Sequence, residues 1–327
     1  MYNKKNLAVI GMFCTLSIVV IIIGFTNIRN AEKLFKEKEV AAVIKSHFVN
    51  VHYFKLKDDA PSIELKSEDL NIVNNTILSF IRPSGIFYSG ERKLDYSANN
   101  GILNQVRKDL NLSGDVNVKD NKSFYKSDNI IYNSARETIS ASGNVRTKYI
   151  DEKTKDIIQL KSSKLVSKIK ENLLILSGDV EGRLNRRRVY EGKLDFSAQE
   201  VELNSLESLM KLSTSVKLHR NNYYLSAQNA EIFLENYNKK LKYYILYDDV
   251  KLEEKFLLKS GKTSLRRAYA EKLEAHQKTG KVFLTGAPRV EQGDDIIKGY
   301  QITLRENVEM VEVDDSQSSF SLKKDKE

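Results

Sequence analysis

The stretch LSGDV, Leu112 to Val116, returns letter for letter at Leu176 to Val180, with ASGNV at 141–145 between the two copies and LSTSV at 212–216 after them. Each copy belongs to a longer unit that starts with a small residue. Ala98 is followed at +3 and +5 by Gly101 and Leu103, and at +14, +16 and +18 by Leu112, Gly114 and Val116. The same offsets recur from Ser127 (Ile130, Tyr132, Ala141, Gly143, Val145), from Ser162 (Leu165, Ser167, Leu176, Gly178, Val180) and from Ala198 (Val201, Leu203, Leu212, Thr214, Val216). Ala270 starts a fifth copy, and looser copies start at Ser67 and Ala227. Copies that follow one another from about residue 60 to 315 mark a repeat protein built from one supersecondary element.

Within a unit the residues at +14, +16 and +18 alternate, as do Leu94, Tyr96 and Ala98, which is the period of a strand with one apolar face. The linking segments NQVRKD, NSARET, KIKEN and HQKTGK are polar, as hairpin turns between half-buried strands are. The odd offset from the small residue to +3 breaks the period of two, so a bulge or corner must intervene if both residues point inward. Two strands per unit predict an all-β chain of roughly fourteen to sixteen antiparallel strands, stacked as a sandwich or roll.

The 327 residues carry 53 Lys and Arg against 44 Asp and Glu, a formal net charge of +9 that suits an anionic partner: nucleic acid, a phosphate-bearing lipid or a membrane surface. Cys14 is the sole cysteine, which excludes an internal disulfide and a cysteine-based metal site. Leu7 to Phe25 holds 19 residues without a charge behind Lys4 and Lys5; at the helical rise it spans about 28 Å, the thickness of a bilayer core. A cleaved signal peptide is the rival reading, but its apolar region is shorter and ends in an A-x-A-like site, whereas this run leads into GFTNIRN. An uncleaved anchor is therefore expected. The Lys/Arg count on its two sides does not decide its orientation.

Catalytic chemistry is not legible. His47, His52, His219 and His276 are scattered, and no HExxH, GxSxG, Walker-type loop or carboxylate cluster at metal-ligand spacing occurs, so no enzyme, cofactor or metal is expected. The run RLNRRRVY places Arg183, Arg186, Arg187 and Arg188 close together, a possible phosphate or partner contact. A solvated hairpin tip after the 176–180 strand is the more economical account of it. Nucleic-acid binding is not expected, because neither a recognition helix nor an RNP-like aromatic pattern is present. What remains is a large apolar face on a long repeated β-structure, which is either an aggregation hazard or a lipid-binding surface.

A single N-terminal anchor, then VNVHYFKLKDDAPSIELKSEDLNIV, then A-x-x-a-x-a and L-x-G-x-V units (a, apolar) resemble LptC, the membrane-anchored component of lipopolysaccharide transport. The stretch KLEAHQKTGKVFLTGAPRVEQGDDIIKGYQITLRENVEMVEV resembles the LptA/OstA domain of the same superfamily. The resemblance implies an elongated, twisted antiparallel β-jellyroll behind one N-terminal transmembrane helix, V-shaped and open along one side. It implies an inner-membrane, single-pass protein whose C-terminal domain lies in the periplasm, receiving lipopolysaccharide from the permeases of an inner-membrane ABC transporter and passing it to a periplasmic LptA-like bridge protein.

On that reading residues 1–6 are a cytoplasmic tail, 7–25 the anchor, 26–45 a juxtamembrane linker, 46–200 an LptC-like jellyroll, 201–318 an LptA/OstA-like region and 319–327 a disordered tail. The groove is expected to be lined by Leu112, Val116, Ile130, Tyr132, Leu176, Val180, Phe196, Leu212 and Val216. The C-terminal partner edge is expected at Gln301 to Val313, carried by Ile302, Leu304 and Val308. The alternative is a non-enzymatic anchored β-scaffold for envelope protein assembly, which would keep the same inner face dry and tightly packed.

Overall fold

The computed structural model describes residues 44–319 apart from 58, 74–75, 152, 188–192, 235–242, 258–260, 262, 277–278, 306–310 and 315–316. The expected anchor, cytoplasmic tail and C-terminal tail lie outside the described residues, as do Arg188 and Val308.

Every regular element among the described residues is a strand. In chain order they are β1 (Ile44–Lys57), β2 (Ala60–Val73), β3 (Ile77–Ile81), β4 (Ser84–Ser89), β5 (Arg92–Ser97), β6 (Asn100–Asn104), β7 (Asp109–Lys119) and β8 (Ser123–Asn133). Then follow β9 (Thr138–Ile150), β10 (Ile157–Lys168), β11 (Leu173–Asn185), β12 (Lys193–Asn204), β13 (Leu209–Arg220), β14 (Tyr223–Phe233), β15 (Tyr243–Leu257) and β16 (Thr263–His276). The chain closes with β17 (Lys281–Thr285), β18 (Arg289–Gln292), β19 (Asp295–Lys298), β20 (Gln301–Arg305), β21 (Val311–Asp314) and β22 (Gln317–Ser319). From β7 to β16 each strand pairs antiparallel with the next, one uninterrupted meander. At the strand spacing of a sheet, the path from β2 to β20 is on the order of 70 Å long.

The repeated phrase is a corner. In β7, β9, β11, β13 and β15 two consecutive residues take left-handed dihedrals: Gly114-Asp115, Gly143-Asn144, Gly178-Asp179, Thr214-Ser215 and Asp248-Asp249. Gly286-Ala287 does the same between β17 and β18. The ladders skip a register at these positions, for example between Ser113 and Val116 and between Ser177 and Val180. The partner strands carry a bulge at the small residue that opens each unit: Ser127 donates to the carbonyl of Asn129 at 2.9 Å, and Ser162 to that of Lys164 at 2.8 Å. The expected corner after the small residue is therefore present, and a second one faces it across the hairpin.

The constant offset of sixteen from small residue to glycine follows from this pairing. The residue after the small one packs directly onto the glycine of its own unit; a Cβ on Gly178 would sit 2.9 Å from Cβ of Ser163, and Gly178 has φ +80°. Backbone bonds join the same corners, from Asn99 N to Gly114 O at 2.9 Å and from Glu271 N to Gly286 O at 3.2 Å. Corners must lie in line down the sheet, so the spacing cannot drift.

Bending every strand at its middle folds the sheet into two facing layers. Layer I contains β4, β5, β18 and β19 and the strand halves that end at Lys119 and Ser123, Ile150 and Ile157, Asn185 and Lys193, Arg220 and Tyr223, and Leu257 and Thr263. Layer II contains β3, β6, β17 and β20 and the halves that end at Asn104 and Asp109, Asn133 and Thr138, Lys168 and Leu173, Asn204 and Leu209, Phe233 and Tyr243, and His276 and Lys281. Four long strands are broken in two at the corner, as β3 with β4 and β5 with β6 near the N-terminus and β17 with β18 and β19 with β20 near the C-terminus. This break accounts for four of the twenty-two strands found among the described residues, where roughly fourteen to sixteen were expected. The single apolar core lies between the layers, from Ile63 and Leu65 at one end to Ile302 and Leu304 at the other.

Candidate functional site: the space between the layers, its mouth and its outer face

All nine residues expected to line a groove point between the layers and are buried. Val116, Val180, Phe196 and Val216 belong to layer I; Leu112, Ile130, Tyr132, Leu176 and Leu212 belong to layer II. They face one another: Phe87 of layer I stacks on Tyr132 of layer II with ring centroids 4.1 Å apart and planes 17° apart, and on Tyr96 at 4.2 Å. Burial pushes the Tyr96 and Tyr132 phenols up. Gly182 exists to admit an aromatic ring, since a Cβ there would lie 2.1 Å from the ring of Phe196, its cross-strand partner. The inner face is thus packed on itself.

The same strip includes residues beyond those nine: Ile63, Leu65, Phe87 and Leu94 at the N-terminal end, and Leu246, Leu252, Leu284 and Val290 toward the C-terminal end. Their signal was simple alternation, as in the burial of Leu94 and Tyr96 on β5. It falls partly outside well-aligned units.

The side opposite the corners is not open, in contrast to the V expected from the resemblance. Turns of the two layers meet there through polar contacts. Glu137, in the layer II turn after β8, accepts from Ser89 at the end of β4, from Lys57 of β1 at 3.1 Å and from Lys170 at 2.9 Å. Lys55 donates to Ser134 Oγ at 3.2 Å, and Lys153 to the carbonyl of Leu206 at 3.4 Å. Arg266 of layer I reaches the carbonyl of Arg305 at the margin of layer II, 3.2 Å away. Burial pushes the Glu137 carboxyl up, but the bonds from Ser89, Lys170 and Lys57 outweigh it and hold the group below the usual range.

Three inward arginines near the layer I margin, Arg266, Arg92 and Arg186, are matched to acids. Arg266 Nε bonds Glu254 at 3.0 Å with both side chains fully buried, and its guanidinium lies 4.9 Å over the Phe256 ring. Arg92 pairs with Asp120; burial raises the Asp120 carboxyl, and Arg92 with the backbone of Lys122 and Ser123 brings it below its ordinary value. Arg186 pairs with Asp156 at 2.9 Å, its side chain 1% exposed. The described arginines of RLNRRR therefore do not share one surface. Arg186 is inward, Arg187 is exposed and gives its backbone N–H to Asp156, and Arg183 points outward and pairs with Asp195 at 2.5 Å.

The partner edge moves as well. Ile302 and Leu304 are fully buried, and β20 is paired on both sides, with β17 and with β21, because the chain continues into two further short strands. The outermost described ladders are instead β21 and β22 at the C-terminal end and β1 at the N-terminal end, which pairs with β2 alone. β1 is fourteen residues long and exposes Phe48, Phe54 and Leu56.

A further concavity lies on the outer face of layer I, about 1090 Å³, bordered by β8 to β15. The histidines hold no metal geometry; among the described residues no group of three or more His, Cys, Asp or Glu is placed to hold an ion.

A family of lipopolysaccharide-assembly proteins, LptC-related, matches residues 14–185, more than half of the chain. A second family, described as LptA/(LptD N-terminal domain) LPS transport protein, matches residues 195–309. Between the two matches β11 and β12 are paired along their whole length, so one sheet runs through both. No relative was found among curated proteins. Among solved structures, LptH of Pseudomonas aeruginosa, titled the LptA homologous periplasmic component of the lipopolysaccharide transport device, aligns with 38% of this chain and 85% of its own at 14% identity and a TM-score of 0.34. By the match over residues 14–185, the chain belongs to the LptC-related family of lipopolysaccharide-assembly proteins.

Proposed function

We propose that the chain is a membrane-anchored periplasmic component of lipopolysaccharide transport that shelters acyl chains between its two layers. The observation that carries this reading is the continuous apolar strip from Ile63 to Leu304, bounded on one long side only by turn-to-turn polar contacts. Exposing one fourteen-carbon acyl chain to water costs about 11 kcal/mol at ~0.8 kcal/mol per methylene. A strip that covers the chains at every step divides that barrier into small ones. The inner residues are packed in this conformation, so a chain enters by parting the layers at the mouth, not by filling a preformed hole.

Residues 7–25 would anchor the protein in the inner membrane, and 46–200 and 201–318 would be its LptC-like and LptA/OstA-like regions. Strand β1 would join the periplasmic part of the ABC transporter permeases, and β21 with β22 the LptA-like bridge protein, by adding strands edge to edge. The energy for transport comes from the transporter, since this chain offers no nucleotide-binding loop.

The packed inner face also favours a second reading, an anchored scaffold whose layers never part. Locking the mouth separates the two. In a Cys14→Ser background, cysteines at Lys57 and Lys170 joined by a short bifunctional crosslinker tie layer I to layer II. Lipopolysaccharide capture by the full chain should fall at least about tenfold on crosslinking, a loss of about 1.4 kcal/mol or more in apparent affinity, and recover on cleavage of the linker. Undiminished capture by the locked protein contradicts entry through the mouth, and no capture in either state favours the scaffold.

A further inference from the structure

The outer face of layer I should be an ordinary solvated sheet surface, and it is not. It is concave, and its exposed side chains form two rows that run across the strands. The row nearer the corners reads Lys126, Arg146, Lys161, Glu181, Ser197, Lys217, Ser226, Lys251 from β8 to β15, each directly opposite the next. The row nearer the turns reads Phe124, Lys148, Gln159, Arg183, Asp195, His219, Tyr224, Glu253. The lining of the concavity carries six basic residues against three acidic ones.

Lys126, Arg146 and Lys161 stand side by side on three adjacent strands, and like charges directly opposite each other destabilise a sheet. Among the described residues Arg146, Lys148 and Lys217 have no carboxylate within ion-pair distance. Two aromatic rings are left in water at the two ends of the same surface: Phe124, 37% exposed, and Tyr224, 53% exposed. His219 stacks on one side of Tyr224 at 4.3 Å and 14°, which fixes the ring. None of this serves the apolar strip on the other side of the sheet.

We propose that this outer groove binds a linear acidic saccharide lying across the strands. The length from β8 to β15 is about 30 Å, and cationic side chains stand on six of these eight strands, so that they are separated by multiples of the inter-strand spacing of roughly 4.8 Å. That spacing is close to the repeat of a hexopyranose chain, so acidic sugars along the chain stay in register with the basic positions, and the sugars between them meet the uncharged ones. An extended acidic peptide advances by about 3.4 Å per residue and falls out of step with the row. A bilayer surface is flat and cannot reach the floor of a concavity. The fixed Tyr224 ring and Phe124 offer faces on which sugar rings stack, and Gln159, Ser197 and Ser226 offer hydroxyl partners between the cations. The proposal does not depend on lipid binding between the layers.

The test uses the full chain in detergent with three probes of six units each: hexagalacturonate, neutral maltohexaose and hexaglutamate. Hexagalacturonate should bind with a steep salt dependence, and maltohexaose should not bind measurably. The double variant R146A/K217A should weaken hexagalacturonate binding at least about tenfold and flatten its salt dependence, as loss of charge-assisted contacts does. Tyr224→Ala should weaken hexagalacturonate about threefold or more, the size of a lost stacking contact, while leaving hexaglutamate unchanged. These side chains are exposed, so unchanged thermal unfolding of the variants will show that the fold is kept. Hexaglutamate binding as tight as the saccharide, with no effect of Tyr224→Ala, would overturn the proposal in favour of an acidic protein partner. Absence of hexagalacturonate binding, or binding indifferent to R146A/K217A, would overturn it outright.

Discussion

Thr214 occupies the corner position that glycine holds in four sister corners, with φ +66°. A β-branched residue pays for that left-handed conformation through the clash of its Cβ with the following carbonyl, and glycine does not. Thr214→Gly should therefore stabilise the protein by about 1 kcal/mol, the gain being reduced by glycine's greater freedom in the unfolded chain. Chemical denaturation monitored by circular dichroism checks it; a loss of stability would mean that the corner geometry is not what selects the residue. The residue-level pattern was open to sequence reading here, since the offset of sixteen was visible. Its cause was not, because the residue packed against each glycine lies on the neighbouring strand, and one-dimensional spacing does not name it.

At the scale of elements, the hairpin turns do more than connect. Those of layer II reach across to layer I, and Glu137 gathers Ser89, Lys57 and Lys170 at one point of the mouth. Its native carboxyl titrates below the ordinary value of 4.5, so this contact contributes stability fully above that value and loses it as the pH falls through the lowered native value. Glu137→Gln should lower the denaturation midpoint at pH 7, and the difference from the unaltered protein should shrink as the pH falls below 4.5 and vanish below the lowered native value. A difference that persists undiminished into acid would show that the charge of Glu137 is not what joins the layers. The sequence announced the strands and polar turns through alternation. It did not announce closure of the mouth, because the partners are about eighty residues apart for Lys57 and Glu137. Alternation already divides the run at 183–187, sending Arg183 outward and Arg186 inward; what it did not name is Asp156, 30 residues away, on which Arg186 lands.

At the scale of the whole molecule, one bend repeated in register turns a meander into two layers with an inside, a mouth and two free edges. The inside was legible from the recurring apolar positions, and the nine residues from Leu112 to Val216 all point into it. The outer groove was not, because a concave outer face comes from the twist of many strands and its rows join residues of eight of them. The C-terminal edge, expected over Gln301 to Val313, falls only on the last residues of that range, since β20 looks terminal until β21, from Val311, pairs beyond it. Whether the inside carries lipid is best tested in cells, with a photoreactive residue at Phe196 or at Leu212 and a control at the outward Lys211. Lipopolysaccharide adducts at the two inward sites and not at Lys211 are the expected result. Crosslinks to protein alone at Phe196 and Leu212, with normal incorporation, would contradict a lipid path between the layers.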